Sequence, residues 1–196
     1  MTLRITAISI LFLAIPGLLL IAAEPAADDV QTWRATCQAA MNKLGGELKA
    51  TLQESLNEHG PIGALDKCSV AATPIAETIS TEEGLLVART SLKPRNGKNA
   101  PDDWERRTLE VFEKRHAAKE QIEDLEAWTI ITDDEGHRTF RYMKAIGTLP
   151  LCLKCHGRKI DAEVALKVAE LYPNDMATGF KAGDIRGAFT VKLPLD

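Results

Sequence analysis

Residues Ala127–Ile146 read "AWTIITDDEGHRTFRYMKAI", and how this stretch is read decides the fold. Two runs rich in β-branched and aromatic residues, Ala127–Thr132 and Thr139–Ile146, flank the polar segment Asp133-Asp134-Glu135-Gly136-His137. Strand-forming runs on either side of turn residues predict a β-hairpin. Two further stretches carry strand character: "LLVART" (Leu85–Thr90) and, closing the chain, "DIRGAFTVKL" (Asp184–Leu193).

Upstream of Gly84 the apolar period is that of a helix. Trp33, Cys37, Met41, Leu44, Leu48, Leu52 and Leu56 recur at steps of three and four, which predicts one long amphipathic helix from Gln31 to about His59. Gly60-Pro61 breaks it, with the proline placed to open a second helix. That helix carries Leu65, Cys68, Ala72, Ile75 and Ile79 on one stripe, so Cys37 and Cys68 both lie on core-facing stripes. Between Leu85–Thr90 and the hairpin lies the polar loop "SLKPRNGKNAPDDWE" (Ser91–Glu105), where Asp102 or Asp103 is the expected N-cap of a helix through Trp104, Leu109, Val111 and Phe112. A short helix is expected over Ala162–Leu171. Long helices followed mostly by antiparallel strands predict an α+β domain.

The chain has 196 residues, 45% hydrophobic and 27% charged, which suits one globular domain. A formal charge of −4 argues against nucleic acid, which demands a basic face. Residues 1–23 carry Arg4, the apolar run Ile5–Ile21 and then Ala22-Ala23, the pattern of a signal peptide. Ile21 stands where a small residue favours cleavage, so an uncleaved N-terminal membrane anchor is the alternative. Either way residues 24–196 are expected as one domain, periplasmic or exported, in an oxidising compartment. There, Cys37, Cys68, Cys152 and Cys155 could pair as disulfides in three ways.

A different chemistry is written at Leu151–Gly157, "LCLKCHG". A thioredoxin-like pair would sit in a βαβ pattern, and none surrounds Cys152. A structural zinc ion needs four ligands, usually from two spaced pairs, and the sequence has no second such pair. Covalent attachment of one haem c needs only what is present. Cys152 and Cys155 add across the two vinyl groups, and His156 then falls beneath the iron. For the opposite axial position the candidates are Met41, His59, His116, His137, Met143, Met176, Cys37 and Cys68. The histidines and methionines read as solvated or packing residues, whereas a thiol on a helix stripe points inward.

The segments "GPIGALDKC…AATPIA" (60–76), "ARTSLKPRNGKNAPDDWE" (88–105), "LCLKCHG" (151–157) and "YPNDMATGFKAGDIRGAF" (172–189) occur in this order. Together they resemble a family of single-haem c-type cytochrome and sensor domains with a PAS-like fold, exported or facing the periplasm, over roughly Ala35 to Leu193. The resemblance implies haem c on Cys152 and Cys155, with His156 as one axial ligand and a cysteine thiolate as the other. That thiolate falls most naturally on Cys68. Cys37 competes for the role, and a Cys37–Cys68 disulfide is a further alternative. The resemblance also implies that the loop after Leu85–Thr90 packs beside the haem, which makes Arg89, Lys93 and Arg95 candidates for pairing its propionates.

A thiolate donor stabilises ferric iron, so a low reduction potential is expected. Weakening of that bond on reduction would open a position for a small gas. This suits a redox or gas sensor, with an electron-transfer cytochrome as the alternative. An enzyme is not expected, because two protein ligands leave the iron no standing substrate position and no histidine is placed as a distal acid–base group. No kinase, methyl-accepting or cyclase output segment follows, so a separate redox or signalling protein partner is expected.

Overall fold

The structure is a computed structural model that describes residues 25–195, and the signal or anchor segment expected over 1–23 lies outside the described residues. Its helices are α1 (Ala27–Glu83), α2 (Asp103–Ala117), α3 (Leu153–His156) and α4 (Ala162–Leu171). Its strands are β1 (Leu86–Thr90), β2 (Glu126–Thr132), β3 (Arg138–Gly147) and β4 (Ile185–Pro194). The architecture is α+β, as expected. Among the described residues no helix is long and apolar enough to cross a membrane.

The two helices expected before Gly84 are the two arms of α1. They meet at Gly60, whose φ of 64° and ψ of −171° interrupt the helical geometry. Only glycine adopts such a φ without steric cost, and Pro61 then restarts the helix. Gly84, with φ 65°, ends it in the left-handed conformation, its N–H bonded back to Ser80. For α2 the N-cap is Asp102, which exchanges hydrogen bonds with Glu105 as a capping box.

All four strands are antiparallel, in the order β1-β4-β3-β2. The hairpin pairs Trp128 with Tyr142 and Ile130 with Phe140. Alternation then sorts side chains to two layers. Phe140, Tyr142, Val87 and Val191 meet Cys37, Met41, Leu44 and Ile79 of α1, while Met143, Ala188 and Ile185 meet Leu109 and Phe112 of α2. Completely buried side chains the size of Phe112, Phe140 and Tyr142 each contribute roughly 1.5–3 kcal/mol.

Polar contacts fix the helices to the sheet. Glu126 of β2 accepts hydrogen bonds from Arg34 and Gln38 of α1 and from Tyr142 of β3. On the opposite face Arg141 of β3 pairs with Asp102 at 2.7 Å and Glu105 at 3.3 Å, with its guanidinium over the Trp104 ring. A third, smaller cluster joins the second arm of α1 to α4: Leu65 packs with Val164 and Val168, and Cys155 and Ile160 close against them. Lys167 of α4 reaches Asp66 of α1 at 2.9 Å beside it. This cluster brings the second arm of α1 to the Cys152–His156 turn.

Candidate functional site

Cys152–His156 occupies one tight turn, a 3-10 segment (Pro150–Cys152) running directly into α3. Helical spacing puts Cys152, Cys155 and His156 on one side, since residues three and four apart are neighbours. A ribbon from the 179–184 segment holds the turn. Gly179 and Phe180 donate their N–H groups to the carbonyls of Gly157 and His156 at 3.1 and 3.0 Å, and Gly183 donates to Thr148 at 2.9 Å. Gly179 and Gly183 have φ of 84° and 86°, which the sharp bends of this ribbon require.

The state of His156 follows from its contacts. Its Nδ1 lies 2.6 Å from the carbonyl oxygen of Ala177. A carbonyl can only accept, so Nδ1 carries the proton and Nε2 carries the lone pair. Burial, with Arg186 and Arg95 nearby, pushes the imidazole pKa down to about 3, so the ring is neutral at physiological pH. Phe180 stands edge-on to the ring at 6.3 Å. A neutral imidazole with one nitrogen anchored and the other bare is the form that ligates a metal.

Arg95 is the residue that holds this geometry. Its Nε and Nη2 grip the two oxygens of Asp175 at 3.1 Å each, and Nη2 also donates to the carbonyls of Cys155 at 2.6 Å and Ala177 at 3.3 Å. The guanidinium pairs with a carboxylate of the chain itself and ties the CxxCH turn to the 175–177 loop. Nε and Nη2 of this propionate-pairing candidate are thus engaged by groups of the chain itself.

The two remaining cysteines sit in different surroundings, and all four thiols are free. Cys37 is completely buried among Met41, Leu44, Ile79 and Tyr142, and desolvation lifts its pKa to about 12. Cys68 is half-buried and three residues after Leu65, on the side of α1 that faces α4 and Cys155. Burial raises its pKa as well, but the Arg89 cation opposes that rise, and Cys68 and Cys155 feel each other electrostatically. Cys68 is thus the thiol that α1 presents to the CxxCH turn. No three of the ligand atoms of Cys68, Cys152, Cys155 and His156 lie within 4.8 Å of one another; among the described residues only the exposed hairpin-turn group Asp133, Glu135 and His137 does.

Cations surround the site in excess. Arg89 is half-buried and makes no hydrogen bond or ion pair among the described residues, and burial depresses its pKa. Lys93 is exposed, with its Nζ 5.4 Å from the Phe180 ring centre. Arg186, which the sequence reading missed, lies over the same ring and donates to Ser91 Oγ and the Lys93 carbonyl. Burial first, and then Arg95 and Arg89, bring its pKa down to about 10. Arg186 is repelled by Arg95 and Arg89, and Asp175, which opposes that repulsion, is itself gripped by Arg95. The only signal for Arg186 was its place inside the "YPNDMATGFKAGDIRGAF" segment.

The other candidate ligands are placed elsewhere. Met41 and Met143 are buried in the cores on opposite faces of the sheet, and Met176 is exposed. His59 and His137 are exposed, and His116 is half-buried with its Nδ1 against the Glu120 carbonyl. The donor set that does come together is two thiols, a neutral imidazole, a third thiol beside an arginine, and surplus positive charge. Those residues fit a tethered iron porphyrin with two carboxylates. Because their ligand atoms are spread apart, they do not fit a single bare ion.

The sequence model of the Tll0287-like family matches residues 22–194. Among solved structures, the crystal structure of the cyanobacterial heme-protein Tll0287 is similar over 88% of this chain and 98% of that one, at 25% identity and a TM-score of 0.59. No curated protein matches.

Proposed function

The chain belongs to the Tll0287-like family, and from that premise we propose that it is a haem-binding protein. The likeness to a cyanobacterial heme-protein over nearly its whole length supports this. The finer reading is an exported, PAS-like c-type cytochrome with one haem attached through Cys152 and Cys155, periplasmic or anchored facing the periplasm. Its role on this reading is that of a redox or gas sensor, passing its signal to a separate protein, and not that of an enzyme. One observation carries it: His156 is locked neutral on the same turn as two thiols, with Nδ1 committed to Ala177 and Nε2 bare.

Haem, when bound, supplies a reversible one-electron couple at iron and, once an axial ligand is released, a position for a diatomic gas. The chain's residues have separate tasks around it. Cys152 and Cys155 would anchor it, and His156 Nε2 would be one donor to its iron. Cys68 would be the other, its thiolate favoured by the Arg89 charge against the opposing effect of burial. Arg89 and Arg186 would be the cations to pair its carboxylates, while Arg95 fixes the carbonyl that orients the imidazole.

The electron-transfer reading keeps one observation in its favour. Lys154, between the two cysteines, is exposed, so the attachment turn is at the surface, where a redox partner could approach.

Expression in a host competent for haem c attachment, followed by haem staining of a denaturing gel, tests the central claim. The wild-type band should stain, and the double variant Cys152→Ser, Cys155→Ser should not. A stained double variant, or an unstained wild type, defeats the covalent reading.

A further inference from the structure

The segment Gly147–Ile160 contains Lys154, Arg158 and Lys159 and no acidic residue, while the rest of the chain holds 21 basic against 28 acidic residues. Lys181 belongs to the same face, because the 179–184 ribbon is bonded along Thr148, His156 and Gly157. All four cations are exposed, and none makes an ion pair or hydrogen bond through its side chain among the described residues. Elsewhere Lys43, Arg115 and Lys167 are met by carboxylates. Of the acids bordering this face, Asp175 grips Arg95 and Asp184 accepts the Lys181 amide at 2.7 Å, while Asp161 and Glu163 at the start of α4 are exposed and leave the four cations in the majority. Two large apolar side chains, Leu149 and Met176, stand 53% and 56% exposed on the segments that border the turn.

We propose that this face is the docking surface for an acidic one-electron redox protein, an inference that rests on the haem reading above. Electron tunnelling falls steeply with distance, so a partner must meet the chain where the attachment turn reaches the surface. A local basic field on an acidic chain steers an oppositely charged partner to that point and keeps it from docking elsewhere. The exposed Leu149 and Met176 supply the apolar contact that a small transient interface places among its charges. An anionic membrane would be drawn by the same charges. The partner protein is favoured because the cations surround the attachment turn itself.

The sign of the local field can be measured with a small anionic oxidant, ferricyanide, reacting with the reduced holoprotein. Raising ionic strength from ~10 to ~200 mM should slow oxidation roughly fivefold, although the chain as a whole is negative. The variant Lys154→Glu, Arg158→Glu, Lys159→Glu, Lys181→Glu should lose that salt dependence or invert it. The control Lys49→Glu, Arg107→Glu, away from the face, should keep it. A rate that rises with salt in the wild type, or a control that behaves like the quadruple variant, overturns the proposal. Labelled polyglutamate gives a readout independent of haem. It should bind the wild type at low salt and bind the quadruple variant at least tenfold more weakly, and equal binding overturns the proposal. Tighter binding to phosphatidylglycerol vesicles than to polyglutamate also overturns it, in favour of a membrane. A protein that fails to stain for haem yet binds polyglutamate through this face would separate failure of the haem reading from failure of the docking surface.

Discussion

The Ala177 carbonyl oxygen accepts the Nδ1 proton of His156 at 2.6 Å and, at 3.3 Å, a hydrogen of the Arg95 guanidinium. A loop residue thus sets the imidazole through a backbone group, and a second loop sets that group. The arrangement depends on the Arg95–Asp175 pair, whose side chains are only 10% and 9% exposed.

Arg95→Gln should therefore do more than remove a surface charge. Breaking a buried pair leaves Asp175 uncompensated, a loss of roughly 3–5 kcal/mol. Arg95→Lys keeps the charge but not the two-pronged geometry and should fall between. Urea unfolding measures both, and Arg95→Gln and Asp175→Asn combined should cost much less than their sum. A loss under about 0.5 kcal/mol for Arg95→Gln would contradict the clamp.

Cys37 and Cys68 are expected to separate cleanly. Cys68→Ala should abolish the low-spin thiolate signature in electron paramagnetic resonance of the ferric protein. It should also raise the reduction potential by on the order of 0.1 V, since axial ligands set haem potential over a wide range. Cys37→Ala should leave both nearly unchanged and act on stability instead. Because desolvation raises the Cys37 pKa to about 12, its thiol should resist alkylation in the folded protein near pH 8. Interchanged results would move the ligand to Cys37, and no spectral change in either variant would end thiolate ligation.

Gly157 closes the CxxCH turn in a space a side chain cannot enter. A Cβ there would stand 2.5 Å from the Leu153 carbonyl oxygen, whereas one at Gly46 meets nothing within 4 Å. Gly157→Ala should cost about 1–3 kcal/mol and lower the melting temperature by roughly 2–4 °C for each. Gly46→Ala, in the first arm of α1, should leave stability unchanged or raise it by up to about 1 kcal/mol. A melting temperature unmoved by Gly157→Ala would show that the turn yields.

Local chemistry made parts of this molecule legible before the fold was known. The hairpin followed from its β-branched runs, the break at Gly60 from a Gly-Pro pair, and the α2 cap from acids before Trp104. Cys152, Cys155 and His156 could be singled out because their spacing alone suggests the attachment proposed above, and the structure places all three on one turn. What the sequence concealed was non-local. Pairing of β1 with β4 joins residues about a hundred apart, and no short-range signal encodes it. Arg95 read as one cation in a polar loop, because its partner Asp175 lies 80 residues on. Arg186 sits in a strand where alternation suggests a solvated face, yet the ring of Phe180 and the Ser91 loop enclose it. Cys37 and Cys68 looked equivalent because both follow a helical stripe. Only the bend at Gly60 directs one to the sheet and the other to α4.

Acid stability should depend measurably on Glu126. Burial alone would raise its pKa, but the Tyr142 hydrogen bond and the Arg34 and Lys144 charges outweigh burial and hold the carboxyl below its usual 4.5. A carboxyl depressed in the folded state binds protons more readily once unfolded. Its contribution is therefore fully present above pH 4.5 and is lost as pH falls through the lower folded value. Asp102 behaves alike, the Glu105 N–H and Arg141 overcoming its burial, so one substitution should flatten the acid limb without removing it. Glu126→Gln should cost about 1–3 kcal/mol at pH 7, where Arg34 and Lys144 lose their partner. The difference from wild type should shrink as pH falls below 4.5, where the unfolded carboxyl takes up its proton first and the folded one follows at a lower pH. Urea midpoints of the two proteins at pH 7 and pH 3.5 test this, and a difference that stays constant or widens in acid would show that Glu126 is not the ionised hub joining α1 to the sheet.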